Sequence, residues 1–298
     1  MRLSTKAPLH HCQLDTVTSL YAHQGLPENA AEHTALASKC GFACCALLGE
    51  LLCAYVTCRP DIVDATIALS KFSTCPHDHH FSMLKKVAKY IHATKDWGII
   101  CRRSQPDTLL PPSNFIRSTM DAKRPDFPNV DPREPVTFLD AEHANDLHNC
   151  RSTMGYAFLL CSGDISYRCK TQSIAATSST EAEFLVAVTT AKHARYFCAI
   201  MTNLGFPPKG ATVMFCGNQL AISMINARVP TERSRHVEIQ LFTIQNWKEA
   251  GAILMQFISG VISPSDDLTK PLGWVLHNRH AHCIMGHCYL VFCHCLLC

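Results

Sequence analysis

Three acidic residues stand where side chains with chemistry to perform are placed in layered α/β proteins. Asp140 closes the apolar run Val136-Thr-Phe-Leu-Asp140, Glu183 lies in the first turns of a long helical segment, and Asp266 follows Ser263-Pro-Ser265 at the start of another. Carboxyl ends of strands and the loops beyond them are where such folds assemble sites. Carboxylates that converge away from bulk water repel one another unless a cation joins them. Oxygen ligands of this hardness select Mg²⁺ or Mn²⁺ over zinc, and two such ions can clamp the attacking and leaving oxygens of a phosphodiester. A further strand end, Val213-Met-Phe-Cys-Gly217-Asn-Gln, has the same design, but Gly217 has no side chain with which to bind. Each acid also has a plainer reading. Ser178-Ser-Thr-Glu181 fits a capping box that uses Glu181 and leaves Glu183 spare, Asp266 suits a helix cap, and Asp140 suits a turn. From spacing alone both readings stand.

The elements that must position these residues are legible in the hydrophobic pattern. Strands are expected at Val136–Asp140, Gly155–Cys161 and Asp164–Cys169, the last two joined by a Ser-Gly-Asp turn whose glycine suits a tight hairpin. A long helix follows from about Ser179 to Leu204, stopped by Gly205 and Pro207. Then come a strand at Thr212–Cys216, helices ending near Ala227 and Ala250, a strand near Ala252–Ile258 and a last helical turn near Asp266. Three antiparallel strands, then helix, strand, helices, strand and helix make an α/β layer fold around one mixed sheet.

Ahead of the strands, Ala35 to Val56 is nearly all apolar, Arg59-Pro-Asp breaks the run, and Ile62 to Phe72 resumes it at helical spacing. Phe81 to Thr94 reads as an amphipathic helix, with Met83, Leu84, Val87, Ala88 and Ile91 on one side and Lys85, Lys86 and Lys89 on the other. Such lysines are either a solvated surface or one that tracks phosphates. Between the halves, prolines crowd from Pro106 to Pro135, the texture of an extended linker. The expected division is helical segment 1–105, linker 106–134, α/β domain 135–275 and a Cys/His-rich tail 276–298.

A chain of 298 residues that is 47% hydrophobic has ample material for a core, and its net charge of +3 argues neither for nor against a polyanionic partner. Its 18 cysteines would suit a disulfide framework, yet the first residues carry no apolar signal core and no run reaches the length of a membrane span. Reduced thiols in cytoplasm or nucleus, not secretion, are the expectation. Cys44, Cys45, Cys53, Cys161 and Cys198, inside apolar segments, read as small buried hydrophobes.

The wording of the motifs adds a resemblance. Phe138-Leu-Asp140-Ala-Glu-His-Ala, Arg151-Ser-Thr-Met-Gly-Tyr156, Ala176-Thr-Ser-Ser-Thr-Glu-Ala-Glu-Phe184, Cys216-Gly-Asn-Gln-Leu-Ala-Ile222, Ser234-Arg-His-Val-Glu-Ile239 and Ser265-Asp-Asp-Leu-Thr-Lys-Pro-Leu272 occur in this order. That series resembles the ribonuclease H domain of copia-type retrotransposon polyproteins. Leu48 to Ile62 and Lys95-Asp-Trp-Gly-Ile99 resemble the end of the same family's reverse transcriptase, its helical thumb and connection. The resemblance implies a ribonuclease H-like five-stranded mixed sheet flanked by helices, and a partner, an RNA:DNA hybrid, whose RNA strand is hydrolysed with two Mg²⁺ (or Mn²⁺) ions. It matches Asp140, Glu183 and Asp266 to catalytic metal ligands and puts Gly217 where a fourth carboxylate belongs, which implies impaired catalysis. It further implies retained hybrid binding, with Lys85, Lys86, Lys89, Arg151, Arg233, Arg235 and His236 as candidate contacts, and a virus-like particle as one possible cytoplasmic setting. No Tyr-x-Asp-Asp turn occurs in the chain, so no polymerase activity is implied. In the tail, Cys283, His287, Cys288, Cys293, His294, Cys295 and Cys298 form a cluster whose spacing fits no standard zinc site.

Overall fold

The computed structural model of the chain describes residues 20–21, 30–74, 76–101, 133–227 and 238–287. The proline-dense stretch, residues Arg233, Arg235 and His236, and the tail beyond 287 lie outside the described residues. Among the described residues the N-terminal part includes α1 (Ala30–Cys40), α2 (Cys44–Thr57), α3 (Val63–Ser70), reached through a 3₁₀ turn at Pro60–Ile62, and α4 (Asp78–Ala93). The apolar run at 35–56 is therefore two helices rather than one. Gly41, at a φ of 81°, takes the left-handed conformation that ends α1 and bends the chain by 67° into α2. Among the described residues no single helix is long and apolar enough to cross a membrane.

The sheet contains β1 (Val136–Asp146), β2 (Arg151–Leu160), β3 (Gly163–Thr171), β4 (Thr212–Cys216) and β5 (Ile253–Phe257), in the order β3-β2-β1-β4-β5. β1, β2 and β3 form an antiparallel meander, whereas β4 pairs with β1, and β5 with β4, in parallel. α5 (Ser179–Asn203), α6 (Gln219–Asn226) and α7 (Glu238–Glu249) make the crossovers, and a 3₁₀ turn at Pro264–Leu268 leads to α8 (Trp274–Ile284). The β2–β3 hairpin corrects one expectation. Cys161 and Ser162 hold its turn, at φ of 53° and 67°, while Gly163 lies in the strand. A Cβ on Gly163 would lie 2.6 Å from the carbonyl oxygen of Ile100, so this glycine serves a close approach and not the turn.

Both faces of the sheet are covered. Leu139, Met154, Tyr156, Phe158, Met214 and Ile253 pack under Phe184, Val188, Ala191, Ile225 and Leu241 of α5, α6 and α7. On the other face Val136, Phe138, Ala157, Leu159 and Phe215 share one apolar cluster with Leu51, Ile62, Leu69, Phe81, Leu84, Val87 and Tyr90 of the N-terminal helices and with Ile284 of α8. This explains why β2 is buried along nearly its whole length and reads as a continuous apolar run instead of an alternating one. The inward face of α4 accounts for its docking, at roughly 1.5–3 kcal/mol for each large apolar side chain withdrawn from water. Lys85 and Lys89 stay exposed on its other side.

Candidate active site

The parallel register pairs Leu139 with Cys216, so Asp140 and Gly217 come next at neighbouring positions where β1 and β4 run side by side. Side chains alternate along a strand, so Asp140 shares the face of Phe138, and a side chain at 217 would share the face of Phe215, both belonging to the cluster under the N-terminal helices. Across the hairpin Asp140 pairs with Gly155. The missing side chain there has a specific use. A Cβ on Gly155 would lie 2.7 Å from Thr269 Cγ2 and 2.9 Å from Leu268 Cβ, so the glycine lets the turn carrying Asp266 lie directly on the sheet.

Docked in this way, the turn surrounds Asp140. Thr269 Oγ1 donates to Asp140 Oδ2, and Lys270 Nζ lies 3.0 Å from Asp140 Oδ1 and 3.3 Å from Asp266 Oδ2. Thr269 and Lys270 were not singled out from sequence, although the four-residue spacing of Asp266 and Lys270 is one at which a helical turn brings side chains together. Burial works against the Lys270 ammonium, but Asp140 and Asp266 outweigh it and hold its pKa above the ordinary lysine value.

Glu183 enters from α5. As its sequence suggested, the helix is capped without it: Ser178 Oγ accepts from Glu181 N at 3.2 Å, and Glu181 Oε2 accepts from Thr177 N at 2.8 Å. The Glu183 carboxylate instead accepts the backbone N–H of Ala141, next to Asp140, and receives the Cys216 thiol at 3.8 Å. Burial first, and Asp140 second, push the Glu183 carboxyl up to about 8; the same two causes push Asp266 up to about 6. Such shifts are the signature of acids crowded in low dielectric with too little positive charge among them.

Neither described neighbour of Gly217 replaces a carboxylate there. The carbonyl of Asn218 caps α6, its Oδ1 accepting from Ala221 N at 3.0 Å. The Cys216 thiol is buried, and burial together with Glu183 raises its pKa, which keeps it protonated. Gly217 itself is exposed, and a Cβ there would meet nothing nearer than the Ile258 carbonyl oxygen at 3.9 Å.

A meander of three strands, a long helix and two further parallel strands in this order make the ribonuclease H-like sheet. No family model matches the chain. Curated relatives do: the retrovirus-related Pol polyprotein from transposon RE2 of Arabidopsis thaliana is 28% identical over 217 residues, 73% of this chain and 13% of that protein. That from transposon TNT 1-94 of Nicotiana tabacum is 27% identical over 223 residues, 75% of this chain and 15% of that protein. The homologues of this chain are thus retrovirus-related Pol polyproteins of copia-type transposons. The chain spans about an eighth of the length of such a polyprotein, 13% in the case of RE2. A shorter relative, the secreted RxLR effector protein 161 of Plasmopara viticola, is 30% identical over 138 residues, 46% of this chain and 79% of that protein. Among solved structures, LC11-RNase H1 from compost matches 46% of this chain and 93% of its own at 10% identity and a TM-score of 0.36, a likeness too slight to add to the strand order itself.

Those of the remaining expected residues that the structure describes do not gather at the carboxylates. Lys85 and Lys89 lie on the outward side of α4, with Lys85 Nζ 5.5 Å above the Phe42 ring, and Lys86 is half-buried. Arg151 is exposed at the start of β2, four residues before Gly155, the partner of Asp140, and so roughly 13 Å from it along the strand. In the tail, Cys283 is buried in the core, and His287 holds the Gly98 carbonyl through Nε2 at 2.9 Å and faces His282 Nδ1 at 3.1 Å. Among the described residues no three His, Cys, Asp or Glu side chains are grouped closely enough to hold a metal ion, either here or at Asp140, Glu183 and Asp266 as they stand around Lys270. The twelve described cysteines are free thiols, and of the five expected to be buried in apolar runs Cys44 is buried, Cys161 and Cys198 are half-buried, and Cys45 and Cys53 of α2 are exposed.

Proposed function

We propose that this chain is the ribonuclease H part of a copia-type Pol polyprotein, that it hydrolyses the RNA strand of RNA:DNA hybrids with Mg²⁺ or Mn²⁺, and that Gly217 leaves it weakened. The observation that carries the reading is the convergence of Asp140, Glu183 and Asp266 from a strand, a helix and a turn distant in sequence. By chemistry the donor set suits a hard divalent cation once Lys270 gives way to it: Asp140 and Asp266 share the Lys270 ammonium, and Glu183, like Asp266, has a raised pKa. Asp140, Glu183 and Asp266 would hold the metal, which when bound supplies Lewis-acid activation of water and stabilises charge on the phosphodiester. The protein's own part is placement. Thr269 and the Ala141 N–H orient Asp140 and Glu183, and Lys270 keeps Asp140 and Asp266 together before any ion arrives.

A second reading, a hybrid-binding remnant without catalysis, is favoured by one observation: of the neighbours of Gly217, Asn218 is used to cap α6 and Cys216 is a protonated thiol donating to Glu183, so neither replaces the missing carboxylate. Under either reading the candidate contacts are Lys85, Lys86, Lys89, Arg151, Arg233, Arg235 and His236, acting on phosphates and 2′-hydroxyls. The test incubates the full chain and Asp140→Asn with labelled RNA:DNA hybrid and Mg²⁺. Slow cleavage by the parent that is lost in Asp140→Asn supports the enzyme. Binding without cleavage supports the remnant. Cleavage that survives both Asp140→Asn and chelation sinks the carboxylate reading.

A further inference from the structure

A buried chain of polar groups runs from the N-terminal helices to the turn that bears Asp266. Arg59, just after α2, gives Nε to Asp61 Oδ1 at 2.9 Å and Nη2 to Asp61 Oδ2 at 2.7 Å, and holds the C-terminus of α4 through Thr94 O at 3.1 Å and Thr94 Oγ1 at 2.6 Å. Tyr90 Oη donates to Asp61 Oδ2 at 2.8 Å. On α8, His277 reaches Tyr90 Oη through Nε2 at 3.2 Å and Asp267 Oδ1 through Nδ1 at 2.7 Å. Arg59, Asp61, Tyr90, Thr94, Asp267 and His277 are all buried.

Donor counting sets the charge of this chain. The single hydroxyl proton of Tyr90 goes to Asp61, so Tyr90 Oη accepts from His277 Nε2, and Asp267, taken as a carboxylate facing that ring, accepts from Nδ1. Both ring nitrogens then carry protons, and two cations, Arg59 and His277, balance two anions, Asp61 and Asp267. A buried ion set of this kind is costly to break because the partner left behind is uncompensated. Asp267 Oδ2 has no hydrogen-bond partner among the described residues, which leaves the imidazolium to neutralise that carboxylate.

Asp266 and Asp267 are adjacent in one short turn, and their side chains go to different places: Asp266 to Lys270 and the carboxylate site, Asp267 to His277. Fixing one therefore fixes the direction of the other. We propose that His277 is a positioning residue for Asp266, tying its turn through Asp267 to the Arg59–Asp61–Tyr90 anchor, so that the helical segment 59–94 forms a working part of the carboxylate site. The proposal rests on the reading of Asp266 as a site carboxylate.

Two measurements on the full chain test it: amide hydrogen exchange over residues 263–270, and Mn²⁺ titration with Asp140→Asn defining the site-specific part. His277→Asn keeps a donor for Asp267, whereas His277→Phe keeps the bulk and no donor. His277→Phe is expected to speed exchange in the turn about tenfold while β1, β4 and α5 stay protected, and to weaken site-specific Mn²⁺ binding roughly tenfold, with His277→Asn within about threefold of the parent in both. Parent-like exchange in His277→Phe overturns the proposal, and so does His277→Asn behaving as badly as His277→Phe, which would make the role one of shape. Should His277→Phe lose protection everywhere, Tyr90→Phe, which cuts the chain by one hydroxyl, decides instead: faster exchange confined to the turn supports the proposal and unchanged exchange overturns it. A parent that binds no Mn²⁺ at Asp140 counts against the metal reading, while the exchange data still judge the positioning of the turn.

Discussion

Gly155→Ala perturbs the site through a single methyl group placed where the sheet and the Asp266 turn touch. The added Cβ would lie 2.7 Å from Thr269 Cγ2 and 2.9 Å from Leu268 Cβ, and both residues are fully buried, so neither has free space to retreat into. Restoring an ordinary carbon–carbon contact of ~3.5 Å needs the turn to lift by about 0.8 Å. Overpacking of this kind costs about 1–3 kcal/mol, and stretching the Thr269 hydrogen bond to Asp140 costs about 1 more. The loss of glycine's freedom in the unfolded chain returns about 0.4–1 kcal/mol. The net expectation is a destabilisation of about 1–3 kcal/mol by urea unfolding, with weaker stabilisation by Mn²⁺ because Asp266 no longer meets Asp140 squarely. Gly49→Ala is the control, since its Cβ meets nothing within 4 Å in the middle of α2 and helix propensity favours alanine by about 0.5–1 kcal/mol. A Gly155→Ala protein as stable as its parent, with an undiminished response to Mn²⁺, would refute the idea that close approach at Gly155 builds the site.

Three further outcomes are expected. Lys270→Met in metal-free buffer should cost about 1–2 kcal/mol, discounted because the side chain is a third exposed, and should tighten Mn²⁺ binding by removing a competing cation; unchanged affinity would show that Lys270 does not occupy the cation's place. Glu183 and Asp266 have folded pKa values of about 8 and about 6, above their ordinary 4.5 and 3.8, so the folded state holds extra protons between those limits. Their contribution is thus present at low pH and lost as pH rises, and metal-free melting temperature should fall from about pH 5 to pH 8, less steeply with Mg²⁺; a rise over that range would contradict the burial of these acids. Binding of an uncleavable hybrid should weaken with salt, and Lys85→Gln with Lys89→Gln should flatten the slope of log affinity against log salt by roughly 1–2. An unaltered slope would remove α4 from the interface.

The sheet was readable because its strands alternate or run apolar between clear breaks, and Thr212–Cys216 and the long helix from Ser179 came out nearly as expected. β1 runs on to Asp146 through a bulge between Glu142 and Asp146, where Ala144 takes a φ of 52°, and pairing with β2 resumes at Asp146 and Arg151, which spacing does not foretell. What could not be read was which surface the apolar faces of α2 and α4 bury against. Amphipathic spacing says that a face is buried and is silent on its partner, so the shared core of Tyr90, Phe138 and Ile284 was invisible. The carboxylates announced themselves by type and position. Gly155, Thr269, Lys270 and His277 did not, since a strand glycine, a threonine, a lysine and a histidine have ordinary uses that spacing alone does not distinguish from these.

The central claim is that the site at Asp140, Glu183 and Asp266 is a cation site lacking one ligand at Gly217. Its most direct test is Mg²⁺-dependent cleavage of an RNA:DNA hybrid by the parent and by Gly217→Asp, with Asp140→Asn in each background. Open space around the Gly217 Cβ position leaves room for the new carboxylate on the face of Asp140. The account predicts at least about a tenfold faster cleavage in Gly217→Asp, lost in both Asp140→Asn proteins. Equal rates in the parent and Gly217→Asp would contradict it.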